Sequence, residues 1–247
     1  MRTKRFFLFG LLAVLLATSL VLTGCGGDDG DGDGLNLPGI TEPTTGLQTV
    51  EGKDITVSGT GMPQSLETQT GNNGETFTIS GGKFSFTLPE SPPYPQALSS
   101  GYSLRYTLFG DVSGDYTATP GDATFVMVSS FQWNAGNTYY EINRAVTDTD
   151  MATYQDRSQI VYVYASKDVT LSQDADTWED SWSEGNVTET YKTQWGAVNL
   201  ALKKGWNLVQ IDSYETKNGN DYTQKATVKI ATHNVPWTID TWEESYG

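Results

Sequence analysis

The sequence predicts an all-β fold: one or two antiparallel β-sandwich domains that follow a signal peptide and an acidic tether. After residue 50, short apolar runs alternate with polar residues, which is the period of strands with one buried face. No long apolar stripe of helical period appears in that part of the chain. An aromatic content of 12% favours a packed core over a disordered chain.

The N-terminus has the three parts of a secretory signal. Arg2, Lys4 and Arg5 form a positive segment, and the apolar segment Phe6–Val21 follows it. An uncleaved transmembrane helix is the alternative, although an apolar run of this length is marginal for crossing a bilayer. We therefore predict that residues 1–24 are a signal peptide.

The signal ends in Leu22-Thr23-Gly24-Cys25, which matches the lipobox of bacterial lipoproteins. This resemblance implies that a lipoprotein signal peptidase cuts before Cys25 and that acyl chains, such as palmitate, attach to its thiol and anchor the protein in membrane lipid. Cys25 is the only cysteine, so no internal disulfide can form. An ordinary signal peptide with an incidental cysteine is the alternative.

Charge and the residue after Cys25 bear on location and partners. Removal of Arg2, Lys4 and Arg5 changes the formal charge from -15 to -18, which disfavours nucleic acid and anionic lipid as partners. Gly26 stands where enterobacterial lipoproteins with an inner-membrane retention signal have Asp. The resemblance therefore implies a place in the outer membrane, at its periplasmic face or the cell surface, if the cell has one.

Residues 25–48 are predicted to be a flexible tether because they are rich in Gly, Asp and Pro. Within them, Asp29–Gly34 matches the opening of a calcium-binding EF-hand loop. The position that should hold a bidentate Glu is Ile40, so a solvated spacer is the preferred interpretation.

The body divides into two predicted domains, 49–146 and 147–247, at the polar segment Thr147–Asp150. In the first domain, predicted strands lie around 55–57, 77–79, 84–88, 102–108 and 125–128, and Ser80-Gly81-Gly82 predicts a hairpin turn. In the second, they lie at 160–164, 169–171, 198–202, 206–211 and 226–230. Lys203-Lys204-Gly205 predicts a turn that pairs 198–202 with 206–211, and Trp206 is predicted to be a core residue.

Two segments of the second half, 161–171 and 202–207, resemble parts of uncharacterised β-sandwich lipoproteins of the transthyretin-like or carboxypeptidase-regulatory-like kind. The resemblance covers about a third of the body and includes no catalytic motif. It implies a β-sandwich fold and an envelope location, and it implies no chemistry.

No catalytic residue, metal site or cofactor is predicted. His233 is the only histidine, and no second histidine or body cysteine could share a zinc ion with it. The chain also has no G-x-S-x-G elbow and no phosphate-binding glycine loop.

The segment 174–184 is the one place where the sequence suggests recognition. It combines Trp178 and Trp182 with Asp176 and Glu179, and we expect a polar loop whose exposed indoles can contact a glycan or an envelope protein. The leading hypothesis is a non-enzymatic binding or structural module. The alternative is a carbohydrate-active hydrolase that uses this acidic, Trp-rich segment. Trp242, which also has acidic neighbours, is expected near the surface.

We predict that Cys25→Ser abolishes lipid attachment and leaves the body folded, because the thiol is the acyl acceptor and has no disulfide partner. Metabolic labelling with a fatty-acid analogue, with circular dichroism as the folding control, tests this. Equal labelling of mutant and wild type would show that Cys25 is not the anchor.

Overall fold

The computed structural model describes residues 35–110, 116–148, 154–184 and 187–243. The lipobox, Cys25 and Asp29–Gly34 lie outside these residues. The described elements, in chain order, are β1 (Val50–Ile55), β2 (Ser65–Thr70), β3 (Thr76–Ser80), β4 (Lys83–Leu88), β5 (Gln96–Ala97), α1 (Tyr102–Phe109), β6 (Thr117–Thr119), β7 (Thr124–Val128), β8 (Ser130–Ala135), β9 (Thr138–Asp148), β10 (Tyr154–Ala165), β11 (Val169–Gln173), β12 (Asp176–Glu184), β13 (Val187–Trp195), β14 (Val198–Leu202), β15 (Gly205–Asn218), β16 (Asp221–Ile230) and β17 (Trp237–Glu243).

The strands form three sheets, so the predicted all-β, sandwich-like class is confirmed. A four-stranded sheet has the order β1-β4-β3-β2, and a three-stranded sheet has the order β14-β11-β6. The ten-stranded sheet runs β12-β13-β16-β15-β10-β7-β5, and β9 joins β8 and β17 to β10. The strand pairs are antiparallel except for β13 with β16, which is parallel.

Two apolar clusters lie on opposite faces of the ten-stranded sheet. The first contains the apolar side chains of the four-stranded sheet, such as Phe84, with Ile160 and Tyr162 of β10. The second contains those of α1 and the three-stranded sheet, with Val161 and Val163 of β10. The ten-stranded sheet is therefore the middle layer, and β10 is buried on both faces.

The two halves of the body share this middle sheet. Both β7 and β9 pair with β10, across the boundary predicted at 147. The described residues between 35 and 243 belong to one compact unit. The structure thus differs from the two-domain prediction, because pairing between strands far apart in sequence joins the halves.

The N-terminal segment 35–48, hereafter the strap, is packed along the sheet, so its prediction as flexible tether was wrong. Leu47 exchanges backbone hydrogen bonds of 3.0 and 2.8 Å with Trp206, and the Leu208 N–H donates to the Thr44 carbonyl at 2.8 Å. Leu37, Ile40 and Leu47 also pack on the first apolar cluster. Apolar burial orders a segment whose composition indicates a linker.

Two predicted strand arrangements were also wrong. Residues 102–109 form α1, where Leu104 and Leu108, one helical turn apart, are both buried. Strands β14 and β15 do not pair, since β14 belongs to the three-stranded sheet and β15 to the ten-stranded sheet. The predicted strand 169–171 is confirmed as part of β11, which pairs with β14 and β6.

Gly205 and Asn207 explain how the chain changes sheet at this point. Gly205 has φ +103, and a Cβ there would lie 2.4 Å from the Leu47 carbonyl oxygen. The Asn207 side chain accepts from the Lys203 N–H at 2.9 Å and donates to the carbonyls of Lys203, Gly205 and Val163. These bonds fix a connection between layers in place of a hairpin. By contrast, the predicted β3–β4 hairpin is confirmed, with Gly81 and Gly82 at positive φ in its turn.

Trp206 is confirmed as a core residue. It has 0% exposure, and its indole N–H donates to the Pro89 carbonyl at 2.7 Å. We predict that Trp206→Ala lowers the free energy of unfolding by about 3–5 kcal/mol, because it removes a large buried ring and leaves a carbonyl without its donor. Denaturant titration measures this. Trp242→Ala is the control, since that indole is 44% exposed, and an unchanged midpoint for Trp206→Ala would contradict the packing.

Candidate recognition surface

The acidic Trp-rich segment is a strand. Residues 176–184 form β12, which pairs with β13 along its whole length, so the prediction of a polar loop was wrong. Residues 176–183 are exposed on both faces of the strand. Because neither face is buried, the sequence of this strand lacks the alternation of apolar and polar residues that predicts a strand. We refer to β12 and β13 as the aromatic hairpin.

Strand register places four aromatic residues on one face of the sheet. Trp178 and Trp182 share a face of β12 because side chains alternate along a strand. Tyr191 of β13 lies opposite Asp180, between the two indoles, and is paired in register with Tyr222 of β16. We call Trp178, Trp182, Tyr191 and Tyr222 the aromatic face.

The indoles of the aromatic face are exposed, and its two tyrosine rings are stacked on each other. Trp178 is 42% exposed and Trp182 is 56% exposed, which confirms their expected place at the surface. The Tyr191 and Tyr222 rings stack with centres 4.7 Å apart and planes 5° apart. Lys217 Nζ lies 4.8 Å from the Tyr222 ring centre. The strand rise separates the two indole positions by about 13 Å, so the face is long enough to contact an extended ligand.

The face joins the body at Trp195. The Trp195 indole N–H donates to the Leu108 carbonyl of α1 at 3.0 Å, and its ring packs against the second apolar cluster. Gly110 gives the ring room, because a Cβ there would lie 2.9 Å from it. Trp195 shares the face of Tyr191. It therefore marks where the covering layer ends and the exposed aromatic face begins.

Acidic residues lie on both faces of the hairpin. Asp176 and Asp180 alternate with the indoles on the aromatic face, whereas Glu179 is on the opposite face, where Lys192 pairs with it in register. The structure thus brings Trp178, Trp182 and Asp176 of the predicted set together and separates Glu179. On β13, Tyr191 donates to Glu189 at 2.9 Å, and this bond raises the pKa of Tyr191 to about 12.

The outer edge of β12 carries its own hydrogen-bond acceptors. The Thr177 N–H donates to Asp176 Oδ1 and the Ser181 N–H to Asp180 Oδ1, both at 2.8 Å. β12 is the end strand of the ordered sheet, and charged side chains on an end strand disfavour pairing with another chain. This favours recognition through the face over recognition by strand addition.

A cavity separate from the aromatic face lies beneath the strap. A cavity of about 400 Å³ is lined by the strap, by β1 and by residues that include Arg144, Tyr162 and Trp237. Arg144 is buried and donates to the Val235 carbonyl at 3.0 Å, to Asn234 at 2.8 Å, to Glu42 of the strap at 3.1 Å and to the Tyr162 hydroxyl at 3.4 Å. With these partners, the guanidinium fixes the strap to the sheet.

Sequence reasoning missed Tyr191, Tyr222, Arg144 and Glu42. Arg144 and Glu42 are 102 residues apart, and no local pattern joins them. The alternation of Tyr191 with Trp195 and of Tyr222 with Val228 was a usable signal for strands. The parallel register that brings the two tyrosines together has no such local signal, because it pairs strands separated by β14 and β15.

His233 has a structural setting. Its ring Nδ1 is 2.9 Å from Thr232 Oγ1, and its backbone forms a bridge to Gly39 of the strap. Among the described residues, no three His, Cys, Asp or Glu side chains form a group suited to a metal ion.

The described part of the chain contains no helix of the length and apolarity that a membrane-crossing segment requires.

Tyr162 makes the fold sensitive to alkali. Burial, partly offset by the nearby Arg144, raises the pKa of Tyr162 from its ordinary value of 10.0 to about 12. The folded state therefore keeps the proton at a pH where the unfolded chain loses it, so stability is full below pH 10 and falls as the pH rises towards 12. Two pKa units correspond to about 2.7 kcal/mol. We predict that Tyr162→Phe loses less stability than the wild type in urea unfolding from pH 9 to 12, although the raised pKa of Tyr191 leaves part of the loss in place.

Tyr94→Phe is the matched control, since Tyr94 is 83% exposed. Identical alkaline slopes for wild type and Tyr162→Phe would contradict the assigned role.

No family model, curated protein or solved structure matches the chain.

Proposed function

We propose that this chain is a lipid-anchored, non-enzymatic binding module of the bacterial cell envelope, placed in the outer membrane, that binds an uncharged glycan through its aromatic face. The lipobox ending in Cys25 supports the anchor. The binding role rests on one observation: two large indoles, Trp178 and Trp182, are exposed on a paired and otherwise polar extension of the sheet.

The construction of the face suits binding. The indoles stand on a strand that is hydrogen-bonded along its length, and the neighbouring tyrosines are stacked. Little conformational entropy is lost when a ligand binds to aromatic groups that are already held in place. Flat ring faces offer apolar contact to the C–H faces of a sugar.

The charges around the face select against anions. Asp176 and Asp180 alternate with the indoles, and the whole chain carries -15. A negatively charged ligand would be repelled. The hydroxyl groups of a neutral sugar can instead donate hydrogen bonds to these carboxylates. An ionised carboxylate accepts hydrogen bonds and donates none.

The hydrolase alternative lacks a supporting feature in the geometry. A glycosidase needs two carboxyls that flank the scissile bond, one of them kept protonated by an apolar or charged enclosure. Asp176, Glu179 and Asp180 are exposed on an end strand, and Glu179 lies on the face opposite the other two. The arrangement can contact a sugar, but it contains no enclosed carboxylic acid that could protonate the glycosidic oxygen.

We predict that neutral oligosaccharides perturb the tryptophan fluorescence of the wild type and that Trp178→Ala with Trp182→Ala weakens binding at least thirtyfold. That factor corresponds to about 2 kcal/mol, the value typical of a central aromatic contact. Titration with cello-, malto- and manno-oligosaccharides measures it. Trp242→Ala is the matched control because its indole is 44% exposed at a different edge, stacked on Tyr139.

Binding that is equal in the double mutant and the wild type would contradict the role of the aromatic face. Release of reducing sugar during the titration would instead favour the hydrolase.

A further inference from the structure

The path of the strap shows where the chain enters the body. Going backwards from Leu47, the strap contacts Trp206 and then Leu208 at the start of β15, and Ile40 donates to the Thr232 carbonyl at 3.0 Å. At its upstream end, the Leu35 N–H donates to Asp156 Oδ2 at 3.0 Å. The chain upstream of Leu35 therefore begins at the far end of β15.

This is the end of the sheet that carries the aromatic face. Asp156 pairs with Tyr214, which pairs with Lys225 on β16. Lys225 pairs in turn with Gln194 of β13. Gln194 pairs with Thr177 of β12, so this row of paired residues across the sheet ends next to Trp178 in the sequence. From there, β12 continues to Trp182 in the same direction as β15 continues beyond Tyr214.

The covalent chain limits how far this end can be from the anchor. Ten residues separate Leu35 from Cys25 in the sequence. Even fully extended, ten residues span at most about 35 Å. With acyl chains on Cys25, Leu35 stays within that distance of the anchor, at the end of the sheet that carries the aromatic face, while the strap itself packs on the opposite face of the sheet.

We propose that the aromatic face binds the uncharged saccharide headgroup of a glycolipid in the membrane that holds the anchor. The inference rests on the proposed function, and it specifies the ligand and its location. Attachment to the same membrane makes the second binding event intramolecular, so a modest affinity gives high occupancy.

The side chains of the face favour a saccharide over the bilayer itself. Tryptophan and tyrosine do suit a membrane interface. Asp180, however, lies between Trp178 and Trp182 on the same face, and Asp176 lies beside Trp178. Insertion of the indoles into lipid would desolvate these carboxylates at a high cost in free energy. A layer of sugar hydroxyls keeps them hydrogen-bonded.

The test uses the full acylated chain in phosphatidylcholine vesicles, with or without digalactosyl diacylglycerol. Acrylamide quenching of tryptophan fluorescence reports how accessible the exposed indoles are. We expect quenching to fall in glycolipid vesicles relative to phosphatidylcholine alone. The same fall should occur in Trp242→Ala and should be absent in the double mutant Trp178→Ala, Trp182→Ala.

Other outcomes overturn the proposal. If both kinds of vesicle lower the acrylamide quenching equally, relative to the protein without vesicles, the bilayer itself covers the aromatic face. A fall that also appears when the glycolipid is in separate vesicles would show that the shared membrane has no role. No fall in either vesicle, with soluble digalactose binding when it is added to the same fluorescence titration, would refute the membrane ligand and leave the proposed function standing. If soluble saccharides fail as well, both proposals fail.

Discussion

Burial of β10 on both faces is the constraint on which the rest of the structure depends. Ile160 and Tyr162 face one apolar cluster, whereas Val161 and Val163 face the other. A strand of this kind cannot be exposed on either side, so each face requires a covering layer. The four-stranded sheet supplies one cover. Helix α1 and the three-stranded sheet supply the other.

The aromatic face exists because the middle sheet is longer than its covers. β15 is buried at its start and becomes exposed by Lys217, and β12 is exposed throughout residues 176–183. From Trp195 towards the start of β13, the strands remain hydrogen-bonded to one another, and none of the described elements packs over the indoles of β12, which are exposed. Aromatic residues there gain little from the core, and their presence on one face of a rigid extension is what the binding proposal explains.

The sequence was informative at several places where a local pattern determines the structure, although helix α1 was missed. The strand at 160–164, the Gly81-Gly82 turn and the core position of Trp206 were all predicted correctly. Each depends on residues adjacent in the chain or on a side chain whose size demands burial.

Predictions failed where distant contacts determined the outcome. The strap has the composition of a linker, yet Leu37, Ile40 and Leu47 are packed, and Arg144 holds Glu42 across 102 residues. β12 has no apolar alternation and is ordered by its partner β13. The aromatic face was visible only in part, because Trp178 and Trp182 are close in sequence while Tyr191 and Tyr222 join them through pairing between separate strands.

The most direct measurement of the central claim is the set of indole N–H signals in the NMR spectrum of the ¹⁵N-labelled protein, which has seven tryptophans. Addition of a neutral oligosaccharide should shift the signals of Trp178 and Trp182 and leave those of Trp206 and Trp242 unchanged. A shift of Trp237, which lines the cavity beneath the strap, with Trp178 and Trp182 unmoved, would place the ligand in that cavity and contradict the account.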